Sequence, residues 1–525
     1  MKITALKKYT LSILFLVLSI IFTLQIIFAY TPYNVAVNAL TETKNTNKNK
    51  NNTDEPLVLK ICNWEEYIDE GDWDIDEVID LESGDIFGKN SMIDEFEAWY
   101  KETYGIEVNV EYSNFGTNED LYNMLTLGDS FDLICPSEYM FMKLMSEDAL
   151  LPLSDEFFNR NNEYNYYIRG VSPYLEDIFD SHEINGERWS KYAAGYMWGI
   201  TGFLYNPQYV TEQEASTWQL ITNPKFERLV TIKDNVRDSY FAAVGAINSE
   251  LLESESFINN TDYKQNLENI MNDTSPAEIE RVQDYLQTAK DNVYAFETDS
   301  GKADMITGKV VANYQWSGDA VYSMDQAEQD NVKLNFSVPK ESTNIYFDGW
   351  VMLKNGIQGN SQKQHAAEAF INFISRPDNA IRNMNYIGYT SFISGGEDSR
   401  IFEYLKWNYA AENESIKTVD YDINYFFTGN MENSESQYIL TVDAGQIGRQ
   451  LTAQYPSPEI MQRSAVMRYF TPEQYTDINS MWINVRCYNL KKMPIWGWII
   501  TVIVIVLFIW ISIHKIIQIR KNNNN

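Results

Sequence analysis

Apolar residues recur along this chain in two alternating rhythms, one of period two and one near 3.6. Residues 57–63 (LVLKICN) read as a strand, and residues 91–104 as an amphipathic helix. In that helix Ser91 and Asp94 are spaced as a cap, and Gly105 stands at the stop. Residues 106–112 alternate apolar and polar as a second strand, 117–127 form a helix, 131–135 a third strand and 139–145 a third helix. The rhythm resumes through a strand at 230–232, a helix at 277–288, a strand at 310–314 and a helix at 365–374. Strands alternating with helices predict an α/β fold with a largely parallel sheet and helical crossovers.

Two segments break the rhythm by being uncharged and predominantly apolar along their length. Residues 11–29 are uncharged and follow Lys7 and Lys8. They predict an uncleaved signal-anchor, with a cleaved signal peptide as the alternative, within residues 1–30. Residues 494–513 carry Trp496 and Trp498 at one edge and Trp510 near the other, with Lys515, Arg520 and Lys521 beyond. That pattern predicts a transmembrane helix with an aromatic belt and a cytoplasmic tail, 514–525. Basic residues outside both segments put both termini in the cytoplasm and the intervening domain outside the membrane, although Lys491 and Lys492 flank the second segment on its other side. Two spans are too few for a channel, so the chain reads as a tethered domain. Residues 31–55 include a polar, low-complexity stretch and are expected to be a disordered linker.

Composition narrows the function. Of 525 residues, 41 are Lys or Arg and 74 are Asp or Glu, a net charge of −33. Such a field repels phosphate backbones and attracts cations, so nucleic acid is excluded as a partner. Cys62, Cys135 and Cys487 make no disulfide framework, and the first two lie in apolar runs, as buried free thiols do. His182, His365 and His514 are scattered, so no metal site and no cofactor is expected. The acidic stretch between Ile68 and Lys89 reads as a solvated surface insertion.

In open α/β sheets, ligands bind at the loops beyond the carboxyl ends of strands. Here those loops are 63–67 (NWEEY), 136–139 (PSEY), 234–238 (DNVRD), 314–319 (YQWSGD), 346–350 (YFDGW) and 386–389 (YIGY). Each contributes an aromatic, a carboxylate or both. In this order and spacing, with the landmark 371–378 (INFISRPD), the chain resembles the spermidine/putrescine-binding proteins of ABC importers over roughly 57–482. The resemblance implies a two-lobed periplasmic-binding-protein fold of class II topology with a ligand cleft. Lobe 1 would comprise 56–205 and 350–392, and lobe 2 206–349 and 393–488, with crossings near Tyr205, Trp350 and Phe392. It implies a polyamine ligand, ABC permease and ATPase subunits as partners, and no catalytic residues.

Carried over by position, the implied ligand-facing residues are Trp64, Glu66, Tyr67, Ser137, Tyr139, Asn235, Asp238, Trp316, Tyr346, Asp348 and Tyr389. The chain departs from the family where Asn235 replaces a carboxylate, with Asp234 one residue out of register. It departs again where Tyr346 replaces a Trp and where a family glutamine finds no clear counterpart around Met467. The terminal transmembrane helix replaces the usual secretion signal or lipid anchor.

A polyamine carries ammonium groups at fixed intervals on a methylene chain. Asp348 is expected to anchor one amine, with Asp238 and Glu66 serving the others, each charged hydrogen bond contributing roughly 1.5–3 kcal/mol. Trp64, Trp316, Tyr346 and Tyr389 would sandwich the methylenes, and Tyr67, Tyr139 and Ser137 would give neutral hydrogen bonds. Arg237 is expected to pair with a carboxylate. Open alternatives are a binding protein for another small ligand on the same fold, a membrane-anchored glycan hydrolase using paired carboxylates, and a surface adhesin.

Overall fold

Strand β1 (Leu57–Trp64) begins the fold, and the chain returns through helix α1 (Met92–Tyr104) to β2 (Val108–Phe115), parallel to β1 in unbroken register from Leu57/Val108 to Trp64/Phe115. Both caps of α1 form as the residue types require. The Ser91 hydroxyl accepts from the Asp94 amide, and Gly105 takes the left-handed conformation at φ 69° that a side chain would disfavour. Helix α2 (Asn118–Leu127), β3 (Leu133–Ile134) and α3 (Glu138–Ser146) follow, and β3 pairs parallel to β1.

The centre of the sheet is a pair of long strands, β4 (Ala193–Tyr205) and, later, β8 (Thr343–Leu353), both buried at every position. Between them in sequence come β5 (Val230–Lys233), α4 (Val236–Ile247), α5 (Pro276–Asn292), β6 (Ala295–Glu297), β7 (Ala312–Trp316) and α6 (Ser317–Gln329). Beyond β8 come α7 (Ser361–Ile374), α8 (Pro377–Ile387), β9 (Thr390–Ser391) and α9 (Pro472–Cys487). Strand order is β2-β1-β3-β8-β4-β7-β5-β6, with β9 also on β4. The outer pairs are parallel, but β3–β8, β8–β4 and β4–β7 are antiparallel.

The sheet is therefore mixed, where a largely parallel one was expected. The two long central strands are buried on both faces at every position, so neither shows the alternation that would mark it or give its direction. They join two parallel halves, the basis of a two-lobed α/β fold. The largest core underlies β1, β3 and the central pair. A second gathers Phe203, Trp218, Val230, Ile232 and Tyr314 under the β5–β7 half.

The computed structural model describes residues 56–487, apart from 75–76, 412–416 and 432–436, and scattered positions between 503 and 514. The apolar segments 11–29 and, for the most part, 494–513 lie outside the described residues. Among the described residues no helix is long and apolar enough to cross a membrane. Cys62 and Cys135 are buried and free, as expected, and burial pushes both thiols up. The acidic insertion is not simply a solvated loop. Ile79, Leu81 and Ile86 are buried, Ile79 bridges Ile86, and Asp69 is fully buried against Arg382, Nε to Oδ2 at 2.7 Å. Three apolar anchors among many carboxylates are enough to seat it, a signal masked by its charge.

Candidate functional site

Asp348 sits where the β8–β4 ladder slips register, between Asp348 and Gly349. Such a bulge re-aims a side chain. Oδ2 of Asp348 accepts from the Tyr67 hydroxyl at 2.7 Å and Oδ1 from Ser137 Oγ at 2.8 Å. The carboxyl is pushed up to about 6 by burial, and the two hydroxyls oppose that rise. Among the described residues no cation pairs with it.

The loops around it are held by neutral hydrogen bonds. Asn118, first residue of α2, donates to Ser137 Oγ at 3.1 Å and to the Tyr139 hydroxyl at 2.9 Å, and accepts from the Ser137 amide at 3.1 Å. The turn ahead of Tyr67 places Glu66 at φ 53°, left-handed and exposed. The Tyr67 carbonyl accepts from the Tyr196 hydroxyl at 2.8 Å and from Asn63 Nδ2 at 3.3 Å. Both contacts explain why that turn holds its shape.

An aromatic wall adjoins the carboxylate. Tyr67 meets Tyr389 edge-on at 5.1 Å, and Tyr389 meets Tyr346 at 6.2 Å. Glycine makes this wall possible, since a Cβ on Gly318 would come within 2.0 Å of the Tyr389 ring. The Tyr389 hydroxyl donates to Asp319 Oδ1 at 3.1 Å, and Lys302 Nζ stands 3.9 Å from the same oxygen. Burial raises the Tyr67 and Tyr389 phenols well above the usual range, so both stay neutral donors.

On the β5–β7 side, the Trp316 indole donates to Asp238 Oδ1 at 3.4 Å. Burial pushes Asp238 up to about 6, with the Lys233 charge, the Trp316 bond and Arg237 acting the other way. Asn235 is committed to a structural task. Its side-chain oxygen caps α4, accepting from the Arg237 amide at 2.7 Å and the Asp238 amide at 3.3 Å. Asp234 pairs with Arg486 of α9 at 2.7 Å, which takes it away from the cleft set.

Arg237 does not pair with a carboxylate, contrary to expectation. Its guanidinium lies over the Tyr139 ring at 4.7 Å and the Phe470 ring at 3.8 Å, and it donates to the Arg468 carbonyl. Trp64 packs on Phe115 at 4.6 Å, with its indole N–H buried and unpartnered. Neither Trp64 nor exposed Glu66 contacts the Asp348 group.

Sequence reasoning passed over Asn118, Asp319, Lys233 and Glu138. Asp319 and Glu138 stand inside the loops already singled out, so proximity to those aromatics was the available signal. Glu138 accepts from the Phe347 amide at 3.0 Å and is pushed up to about 8 by burial. Lys233 lies one residue beyond the strand expected at 230–232, as the last residue of β5, and no local pattern marked it.

The profile of the family described as "Bacterial extracellular solute-binding protein" matches residues 91–403, more than half of the chain. The chain belongs to this family. These are extracytoplasmic binding components of transport, not enzymes, and the glycan-hydrolase alternative falls with that finding. The solute-binding protein is 26% identical over 299 residues to the spermidine/putrescine-binding periplasmic protein of Salmonella typhimurium, covering 56% of this chain and 72% of the relative. It is 23% identical to the putrescine-binding periplasmic protein PotF of Escherichia coli, covering 54% and 71%. Its fold matches that of the spermidine/putrescine ABC transporter substrate-binding protein PotD from Streptococcus pneumoniae, with a TM-score of 0.53 and 22% identity, over 82% of this chain and 99% of that one.

Proposed function

We propose that this solute-binding protein captures polyamines outside the membrane and delivers them to an ABC permease driven by its ATPase. The observation that carries the reading is the Asp348 carboxylate, buried, free of any cationic partner among the described residues and held by the Tyr67 and Ser137 hydroxyls beside the Tyr67, Tyr389 and Tyr346 rings. Neutral donors orient the acid without neutralising it, so an arriving ammonium supplies the missing charge. The rings suit the methylenes of the same ligand. The names of the relatives, spermidine/putrescine-binding and putrescine-binding, support the same ligand class.

In this reading residues 56–205 with 350–392 form one lobe and 206–349 with 393–488 the other. Asp348, Tyr67, Ser137, Tyr139, Tyr346 and Tyr389 would meet the ligand with Trp316 and Asp238, while Glu66 and Trp64 would stand at the mouth and Asn235 would act through Asp238. Contact with both lobes favours closure, which reports occupancy to the permease. The segments 11–29 and 494–513 would tether the domain beside it. Calorimetry of the full chain in detergent with putrescine, spermidine and spermine tests this function. Heat with at least one is expected, and silence with all three rejects a polyamine ligand.

A further inference from the structure

Two cations are built into the half of the site that carries Trp316 and Asp238. Lys233, the last residue of β5, has no exposure, yet its ammonium lies 3.9 Å from the centre of the Trp316 ring. It donates to the Thr298 carbonyl at 2.9 Å, and the Glu297 carboxylate stands 3.8 Å away. An aromatic face, a carbonyl and nearby carboxylates are the surroundings a ligand's own ammonium would seek. Arg237, one residue before Asp238, spreads a second buried cation over Tyr139. The Asp348 end differs, since its acid meets two hydroxyls and no cation among the described residues.

The asymmetry has a consequence for ligand length, which rests on the polyamine reading. We infer that Lys233 is a specificity-determining residue whose ammonium occupies the cation place against Trp316 beside Asp238, so that the cleft takes a diamine in preference to a triamine or tetramine. A diamine can set one ammonium at Asp348 and keep the other on the near side of Trp316. A longer polycation must bring an ammonium toward Lys233 and Arg237, where like charges in a water-poor site repel strongly. Glu297 does not relieve this, because it already serves Lys233, the Gly301 amide at 2.8 Å and Asn313 Nδ2 at 2.9 Å.

Calorimetry on the full chain with putrescine, spermidine and spermine, for the native protein and two variants, tests the inference. Native protein should bind putrescine about tenfold or more tighter than spermidine. The double variant Lys233→Met/Glu297→Gln removes the buried pair together, so neither member is left behind as a lone charge, and should improve spermidine relative to putrescine about tenfold or more. Lys233→Arg keeps the charge and should keep the native ranking. Spermidine binding as tightly as putrescine to the native protein overturns the inference, and that comparison holds even where the double variant fails to melt cooperatively. An unchanged ratio in a double variant that melts normally overturns it as well. Absence of heat with every polyamine on the native protein removes the parent reading and this one together, a result distinct from either of the others.

Discussion

The Tyr67 hydroxyl donates to Asp348 at 2.7 Å across 281 positions of sequence, joining the first strand's loop to the bulge of the central strand. The contact orients the acid with a neutral group. Replacing the acid should therefore cost more than replacing the phenol. Asp348→Ala is expected to weaken polyamine binding tenfold or more, and Tyr67→Phe by about three- to tenfold. Equal affinities for native protein and Asp348→Ala in calorimetry would place the anchor elsewhere.

Acid should release the ligand. Asp348 and Asp238 are both raised by burial to about 6 from an ordinary 3.8. One pH unit below 6, each is about nine-tenths protonated in the free protein, so affinity should fall roughly tenfold per carboxylate used between pH 7.5 and 5.0. Stability of the ligand-free protein runs the other way. Folded protein binds more protons than unfolded chain between about pH 4 and 6, so the contribution of these two groups is present below that window and lost as pH rises through 6. Calorimetry and melting at matched pH values separate the two effects. Affinity independent of pH across this range would count against both acids.

Gly318 lets the first turn of α6 pass close under the Tyr389 ring. Gly318→Ala places a methyl carbon about 2.0 Å from that ring, which must move. A stability loss of roughly 1–3 kcal/mol and a loss of polyamine affinity are expected together. A variant with native melting temperature and native affinity would show that Tyr389 is free to shift and is not part of a fixed wall.

The acidic insertion is pinned by Arg382. Its guanidinium binds buried Asp69 at 2.7 Å, Glu95 at 2.8 Å and the Asn90 carbonyl at 2.8 Å. Arg382→Met leaves Asp69 buried without a cation and should destabilise the fold by about 3 kcal/mol or more. The double variant Arg382→Met/Asp69→Asn should recover part of that loss. No recovery in thermal melts would mean the Glu95 and Asn90 contacts carry the effect.

Local elements followed directly from side-chain chemistry. Ser91 and Gly105 bound α1, and the two shortest-range signals, caps and apolar period, located β1, β2 and the crossover helices to within a few residues. Tyr67, Ser137 and Tyr389 were visible in segments that gather aromatics and carboxylates, and so was Asp348. Yet 346–350 is no loop, since β8 runs through it from Thr343 to Leu353 and a bulge, not a strand end, presents the acid. Asn235 was visible too, but its role was not. A short polar side chain ahead of a helix serves a cap as readily as a ligand.

What the residues determined alone was the inventory, with strands and helices in alternation, two long uncharged apolar segments, a surplus of carboxylates and aromatics gathered in six short segments. What tertiary structure decided was pairing. The antiparallel centre depends on where β8 returns beside β4, and periodicity carries no direction. The partners of each charge depend on contacts between residues far apart in sequence. Nothing in the local pattern marks Lys233, yet folding seats its ammonium on Trp316. Arg237 looked like half of an ion pair, yet folding lays it on Tyr139 and Phe470. Charge is written in the chain, but the field a ligand meets is set only when burial fixes distance and removes water.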